Sequence, residues 1–176
     1  MSQKSKEIIV AAFLEIMQTS AYEDITISEI LANTPLVRKT FYNNFKEKDD
    51  IVRYICHNLM AEYMTRLTSG AEFTLYNFAR TFYVFGKEKR EIFTLLFQNR
   101  IFHIFNEAFN NHMALVNSIL PHNILNTVDD ENLSFIFAFH AQGTLAMFEL
   151  WVKSGFQKSV DNMATIYTSI VGDLQE

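Results

Sequence analysis

Cysteine, proline and glycine are scarce in this sequence of 176 residues, which contains one, two and five of them respectively. The single cysteine, Cys56, excludes an internal disulfide bond and a CxxC metal site, and we expect it to be a buried thiol in a reducing compartment. So few turn-forming residues do not suit an all-β protein with many tight turns. The composition therefore favours an all-helical protein.

We also expect no membrane-spanning segment and no signal peptide, and no catalytic motif is found. No stretch supplies the run of about 18 or more uncharged residues that a transmembrane helix needs. The apolar N-terminal stretch is interrupted by Glu7 and Glu15 and no cleavage site follows it, which favours a cytoplasmic protein without a signal peptide. Since no nucleophile elbow, phosphate-binding glycine loop or HExxH pattern occurs, we expect neither an enzyme nor a cofactor.

The charge is distributed unevenly along the chain. A formal net charge of −5 at first argues against a nucleic-acid partner. However, the residues up to Lys48 carry six basic and six acidic side chains, so all five excess negative charges lie beyond Lys48. Four of those six cations lie between Arg38 and Lys48, and this segment can present a locally positive surface.

Helical periodicity and capping signals divide the N-terminal part into short helices. Apolar residues recur at helical spacing within residues 5–19 and predict a first helix. Thr26 and Glu29 form a T-x-x-E capping box that starts a second helix, and Pro35 ends it. The remaining helices are predicted at about residues 36–44, from 48 onward, and at 72–86, 88–98, 101–119, 131–153 and 158–174.

The third predicted helix has one apolar side. If residues 36–44 are helical, Val37, Phe41 and Phe45 are spaced by four and fall on the same side. We expect that side to be buried against the first two helices.

The opposite side of this helix carries hydrogen-bond donors and cations. A rotation of about 100° per residue places Lys39, Tyr42 and Asn43 there, with Arg38 and Thr40 on the flanks. Phosphates accept hydrogen bonds from such groups, and base edges in the major groove pair with Arg, Lys and Asn. A short helix that follows a capped helix and a tight turn is typical of a helix-turn-helix, so double-stranded operator DNA is the predicted partner.

The segment ITISEILANTPLVRKTFYNNFKEKDDIV resembles the signature of the TetR family of transcriptional regulators. In that signature a helix of the form T-v-x-x-I-a leads to G-V-s-x-x-T-f-Y-x-h-F-x-x-K-x-x-L. The likeness covers about residues 7–55, and RKTFYNNF most resembles the branch that includes regulators of dihydroxyacetone-kinase operons. The matching residues are Thr26, Ile30, Thr40, Phe41, Tyr42, Phe45, Lys48 and Ile51.

This resemblance implies an all-α, TetR-like fold of about nine helices. Residues 1–48 would form a helix-turn-helix DNA-binding domain, and residues 49–176 a C-terminal bundle for ligand sensing and dimerisation. The implied function is that of a homodimeric repressor, which an effector bound in the bundle releases from its operator.

The resemblance also assigns roles to individual residues of the head. It implies phosphate contacts from Thr40, Tyr42 and Lys48, and base contacts from Arg38, Lys39 and Asn43. Thr26 completes the set of predicted DNA contacts.

Two positions depart from the family pattern. Pro35 stands where the family usually has a glycine, and proline cannot adopt the positive φ of a glycine turn. Val37 stands where the family often has a capping residue, and a valine side chain cannot cap a helix. We therefore expect a different local turn, with Thr34 as the cap of the third helix.

The last two helices are the predicted dimer interface. In the last helix, apolar residues are spaced by three and four, as in a coiled-coil seam. The resemblance implies that this helix and the one before it pair with their copies across a two-fold axis. The predicted interface residues are Phe139, Gly143, Met147, Trp151, Met163, Tyr167, Ile170 and Leu174.

Phenylalanines are frequent in the central helices, and two interpretations of them remain open. They can fill the core, or they can line a cavity for a small apolar or aromatic effector. A third interpretation replaces the small molecule by a protein partner of the bundle, and a continuous apolar patch outside the dimer seam would favour it. His103 and His140 lack the short-range spacing of a metal site, so no metal is predicted. The predicted effector pocket consists of Phe82, Phe97, His103, Phe105 and His140.

Overall fold

The computed structural model describes residues 2–69, 74–116 and 130–172, and in these ranges all regular secondary structure is helical. The all-α prediction of about nine helices is confirmed. None of the helices in these ranges is long and apolar enough to cross a membrane. The described ranges contain nine α-helices: α1 (Ser2–Ile16), α2 (Ile27–Ala32), α3 (Arg38–Tyr42), α4 (Lys48–Ser69), α5 (Leu75–Glu88), α6 (Arg90–Gln98), α7 (Phe102–Val116), α8 (Asp130–Lys153) and α9 (Val160–Gly172).

The head, which we define as α1, α2 and α3, packs around aromatic and branched aliphatic side chains. Ile9 and Phe13 of α1, Ile30 of α2 and Phe41 of α3 are fully buried. Ile51 at the start of α4 is also fully buried and closes this core from the other side. Burial of these residues sets the rotation of each short helix about its own axis.

The long helix α4 connects the head to the bundle, which we define as α5 to α9. It packs against α1 near its start and against α5 and α7 further along. Its buried side includes Cys56, which has no solvent exposure, and burial raises the pKa of this thiol to about 12. The prediction that Cys56 is buried is therefore confirmed.

Phenylalanines from four helices fill the centre of the bundle. The ring of Phe148 on α8 lies 5.0 Å from that of Phe82 on α5 and 4.8 Å from that of Phe93 on α6, measured between centroids. Phe105 and Phe109 of α7 are also fully buried. For these residues the core interpretation is correct, because tilted and edge-to-face ring packing at such distances leaves no room for a ligand.

The apolar seam of α9 is buried within the chain. Met163 and Tyr167 are each about 4% exposed, because α9 packs along α5, where the ring of Tyr167 lies 6.3 Å from that of Phe78. Assigning these two residues to the dimer interface was therefore wrong. Ile170 is 49% exposed, and Leu174 lies outside the described residues.

The predicted interface on α8 is also only partly exposed. Phe139 is 59% exposed and Trp151 only 2%, while Gly143 and Met147 have intermediate exposure. Residues spaced by four advance about 40° around a helix at each step, so this series turns from solvent into the core. Trp151 was therefore assigned wrongly. It packs edge-to-face on Tyr83, and its indole N–H donates to the Lys158 carbonyl at 3.0 Å.

The contact between α5 and α8 depends on Gly86. A Cβ atom at this position would overlap the ring of Phe148, whose Cζ would lie 2.9 Å away. That ring cannot move aside, since it is fully buried between Phe82 and Phe93. We expect Gly86→Ala to lower the free energy of unfolding by about 1–3 kcal/mol through overpacking. Alanine by itself would favour the helix by about 1 kcal/mol. Urea denaturation followed by circular dichroism measures the change.

A double-mutant cycle tests the assignment to Phe148. If the clash with this ring is the cause, Gly86→Ala combined with Phe148→Leu is less destabilising than the sum of the two single changes. If the two effects are additive, the loss of stability in Gly86→Ala does not come from a clash with Phe148.

Candidate nucleic-acid interface

Thr34 builds the turn between α2 and α3. Its hydroxyl donates to the Leu31 carbonyl at 3.1 Å and accepts from the Leu36 N–H at 3.2 Å. No residue of this turn has a positive φ, so the turn accommodates Pro35 without the glycine of the family pattern. The prediction that Thr34 caps α3 was wrong, because its hydroxyl is bonded within the turn.

Val37 occupies the position before α3 and points into solvent. Its backbone is extended, with φ −97° and ψ 158°, and its side chain forms no cap. Val37 is 66% exposed, whereas the predicted burial of Phe41 and Phe45 is confirmed, at 0% and 4% exposure. The prediction for Val37 was wrong because helical spacing does not apply to a residue that precedes the helix.

The exposed side of α3 carries the residues that the helical spacing indicated. Arg38, Lys39 and Asn43 are exposed, Tyr42 is 48% exposed and Thr40 is half-buried. The Arg38 guanidinium donates to the Tyr42 hydroxyl at 3.5 Å and lies 5.8 Å from the centre of that ring. Within the described residues no salt bridge engages Arg38 or Lys39, so their charges remain available to a partner.

Thr26 caps α2, as the capping box predicts. Its hydroxyl accepts a hydrogen bond from the Glu29 N–H at 3.2 Å. Thr26 is exposed, so it can still approach a partner at the start of this helix.

Lys48 is bonded inside the protein. Its ammonium donates to the carbonyls of Tyr22, Glu23 and Ile25 at 2.6, 3.0 and 3.1 Å, and it lies 4.5 Å from the centre of the Tyr22 ring. An ammonium has three N–H donors, and these three carbonyls occupy all of them. The predicted phosphate contact would require Lys48 to give up one of these bonds, so its role in this structure is to attach the start of α4 to the 3-10 turn at Tyr22–Asp24.

The acidic residues at the start of α4 are neutralised locally. Asp50 accepts hydrogen bonds from the backbone N–H groups of Lys46 and Glu47 at 2.8 and 3.3 Å. The bond from Lys46 is the main reason why the pKa of Asp50 lies below its usual value. Arg53 bridges the carboxylates of Glu47 and Asp50 at 3.1 and 3.0 Å. Negative charge beside α3 is thereby reduced.

Sequence reasoning did not place Lys6 beside α3. A groove of about 310 Å³ separates the start of α1 from the end of α3, and Lys6, Tyr42, Asn43 and Lys46 line it. The Lys6 ammonium lies 4.8 Å from the centre of the Tyr54 ring, which holds the cation at the edge of this groove. Lys6 precedes the apolar stripe of α1, and only the fold shows that it lies next to α3.

Comparisons with known proteins give the fold a name. One solved structure, "Dihydroxyacetone kinase operon activator DhaS", matches with a TM-score of 0.65 and 21% identity over 97% of this chain and 95% of that chain. A second, a TetR transcriptional regulator from Streptococcus agalactiae 2603V, matches with a TM-score of 0.66 and 17% identity over 97% and 94%. The chain has the TetR-like fold.

The sequence comparison matches a shorter part of the chain, and the protein that it matches is also named DhaS. Over 58 residues the chain is 36% identical to the HTH-type dhaKLM operon transcriptional activator DhaS of Lactococcus lactis subsp. lactis (strain IL1403). That match spans 33% of the chain and 31% of the relative's length. No family model matches the chain. The proteins that this TetR-like chain resembles are thus transcriptional regulators and not enzymes.

A second attachment between head and bundle was not visible in the sequence. The backbone N–H of Tyr22 donates to Asn99 Oδ1 at 2.7 Å, and the Asn99 amide donates in turn to the Leu95 carbonyl at 3.0 Å. Asn99 ends α6 and precedes Arg100, which has a φ of 59°. The sharp corner between α6 and α7 therefore touches the head of this TetR-like fold directly.

The five predicted effector residues do not share one cavity in the described part of the chain. Phe82 and Phe105 are fully buried in the core, and His140 lies against the Tyr167 ring at 6.2 Å, where burial lowers its pKa. Only Phe97 and His103 lie together. They line an open groove of about 540 Å³, whose other lining residues are Gln98, Arg100, Phe102, Asn106 and Glu149.

The structural role of Lys48 can be tested without DNA. Lys48→Met keeps an unbranched side chain over the Tyr22 ring but removes all three N–H donors. We expect the free energy of unfolding to fall by about 1–3 kcal/mol, because partly buried carbonyls lose their partners. The exposed Lys46→Met variant should stay within about 0.5 kcal/mol of the wild type in the same urea titration. Equal stability of the two variants would show that Lys48 does not hold the turn.

Proposed function

We propose that this chain is a DNA-binding transcriptional regulator that acts as a homodimer. In this proposal residues 1–48 are the DNA-binding domain and residues 49–176 the sensing and dimerisation bundle. The observation that carries the proposal is the exposed polar side of α3, which burial of Phe41 orients away from the core. Its support from comparison is the TetR-like fold and the regulatory roles named for the similar proteins.

The side chains on α3 are suited to contact both the base edges and the phosphates of a DNA duplex. Arg38, Lys39 and Asn43 are the residue types that pair with base edges in the major groove. The Tyr42 hydroxyl suits a phosphate oxygen, which fixes position without reading sequence. Val37 adds an exposed apolar group before the helix, and such a group can contact a thymine methyl.

The cations around α3 provide the electrostatic part of binding. Lys6 and Lys46 border the groove beside the helix, and Arg53 neutralises the carboxylates at the start of α4. A head with no net charge through Lys48 gains little from long-range attraction. Two linked heads double the number of phosphate contacts and raise the effective concentration of the second head.

An exposed apolar stripe on α8 supports the second copy as its partner. Phe135, Phe139 and Leu150 are 75%, 59% and 66% exposed, and Ala146 lies between them on the same side. Isolated exposed apolar residues are ordinary, but a row of them along about four turns indicates a protein contact. We place this stripe, with Ile170 of α9, at the dimer interface.

We propose the groove around Phe97 and His103 as the effector site in place of the predicted aromatic cavity. Gln98 and Arg100 line the groove and flank Asn99, which holds the Tyr22 N–H of the head. Asn106 Oδ1 is buried here and has no hydrogen-bond partner among the residues that the structure describes. An effector that repositions this corner would alter the Asn99–Tyr22 bond, and so shift the population of DNA-binding head positions.

Whether the chain represses or activates transcription is decided by a reporter assay. The family resemblance predicts repression that the effector relieves. The similar protein named DhaS in both the sequence and the structure comparison is an activator, and an activator would raise reporter output when the chain is expressed.

A second candidate function is that of a co-regulator whose bundle binds a protein partner. It is favoured by the absence of a cavity shared by the predicted effector residues in the described part of the chain. The α8 stripe favours it as well if that stripe lies outside the dimer seam. The two candidates differ in what covers that stripe, and the oligomeric state of the chain separates them.

DNA binding by α3 is tested with Tyr42→Ala and Lys39→Ala. A duplex selected from a random-sequence library and an unselected duplex serve as probes in fluorescence anisotropy. Tyr42→Ala should weaken binding to both by a similar factor, because phosphate contacts carry no sequence information. Lys39→Ala should lose about 1–3 kcal/mol on the selected duplex and little on the other.

The matched control is Lys153→Ala, which removes an exposed cation at the far end of α8. It should bind both duplexes like the wild type. If the two α3 variants also bind the selected duplex as the wild type does, α3 is not the DNA-reading helix.

The dimer interface is tested with Leu150→Glu. A buried, unpaired carboxylate in the seam is strongly unfavourable, so sedimentation velocity should show the variant as a monomer at concentrations where the wild type is a dimer. The control is Ala138→Glu, an exposed position about 120° away around α8. If the Leu150→Glu variant remains dimeric, the stripe is not the dimer interface. That result would favour the second candidate, in which another protein binds the stripe.

A further inference from the structure

Two histidines lie side by side at the contact between α4 and α7. The ring centroids of His57 and His112 lie 5.2 Å apart, and the ring planes are inclined by 54°. His57 is exposed and His112 is half-buried, so the space between the rings can be reached from solvent. The packing of α4 along α7 fixes the separation of the two side chains.

The hydrogen bond of His112 sets the chemistry of its ring. Its Nδ1 lies 2.7 Å from the Ala108 carbonyl oxygen, and a carbonyl oxygen can only accept. Nδ1 therefore carries the proton, and in the neutral ring Nε2 is left with its lone pair. Metal-binding histidines are held in the same way, because the outer N–H donates to a carbonyl or carboxylate and the other nitrogen faces the ion.

The separation of the rings fits a shared metal ion. With Zn–N bonds of about 2.0–2.1 Å, two imidazoles at tetrahedral angles on one ion have centroids about 5 Å apart. Imidazole nitrogen is a preferred ligand of Zn²⁺, Ni²⁺ and Cu²⁺. We propose that His57 and His112 form a two-histidine site for a divalent transition metal that joins α4 to α7.

The site is of the open type. Within the described residues no group of three or more His, Cys, Asp or Glu side chains could hold a metal. Two histidines supply two of four positions, and water completes the coordination. An ion bound in this way exchanges readily and differs from the closed four-ligand sites that stabilise small folds.

Such an ion would act on the helix that carries the head. α4 begins at Lys48, whose ammonium holds the 3-10 turn next to the DNA-facing helices. A metal that joins His57 to α7 restrains α4 about two and a half turns from that point. This consequence rests on the proposed function, whereas the metal site itself does not.

The experiment uses the full chain without an affinity tag, titrated with Zn²⁺ alone in isothermal calorimetry. We expect one ion per chain, and at least a tenfold loss of affinity in His57→Ala and in His112→Ala. In parallel, Zn²⁺ at about a hundredfold of its dissociation constant should raise the melting temperature of the wild type by several degrees. That rise should be absent in both variants.

His103→Ala removes another exposed histidine of α7 and serves as the matched control, which should bind Zn²⁺ like the wild type. His57 is exposed, so its replacement keeps the test valid even if His112→Ala fails to fold. The proposal is overturned if the wild type binds no Zn²⁺, if His57→Ala binds it unchanged, or if the affinity depends on His103 instead. DNA is absent from every arm, so failure here is separate from failure of the proposed function.

Discussion

The contacts of Tyr22 hold three parts of the molecule together. Its N–H donates to Asn99 at the end of α6, its carbonyl accepts from Lys48, and its hydroxyl donates to Asp49. Its ring packs edge-to-face on Phe13 of α1 at 6.1 Å. Burial, and then the bond to Asp49, raise the pKa of Tyr22 above its usual value. Movement of α6 or of the start of α4 therefore reaches the loop that leads into α2 and α3.

Much of the fold could be predicted from the sequence, because the signals that define it are local. A capping hydroxyl such as that of Thr26 has its partner three residues away, and Phe41 and Phe45 lie on the apolar side of a single short segment. The exposed position of Lys39 follows from the same spacing. Such patterns depend only on the geometry of the α-helix, which is the same in every protein.

The remaining features depend on which elements meet, and a periodic pattern does not contain that information. The apolar spacing in α9 predicts that Met163 and Tyr167 are buried. It does not indicate that α5 of the same chain, and not a second subunit, buries them. The bond from Tyr22 to Asn99 joins positions far apart in the sequence. Lys48 has the residue type of a phosphate ligand, and only the fold reveals the three carbonyls around it.

The shortness of α3 limits what one subunit can read. Its five residues, Arg38–Tyr42, span about 7.5 Å along the helix axis. Base pairs in a duplex are stacked about 3.4 Å apart, so such a helix reaches the edges of roughly two to three consecutive pairs. A half-site of that size recurs throughout any genome. Selectivity in the proposed complex must therefore come from the distance between two half-sites and from the deformability of the DNA that separates them.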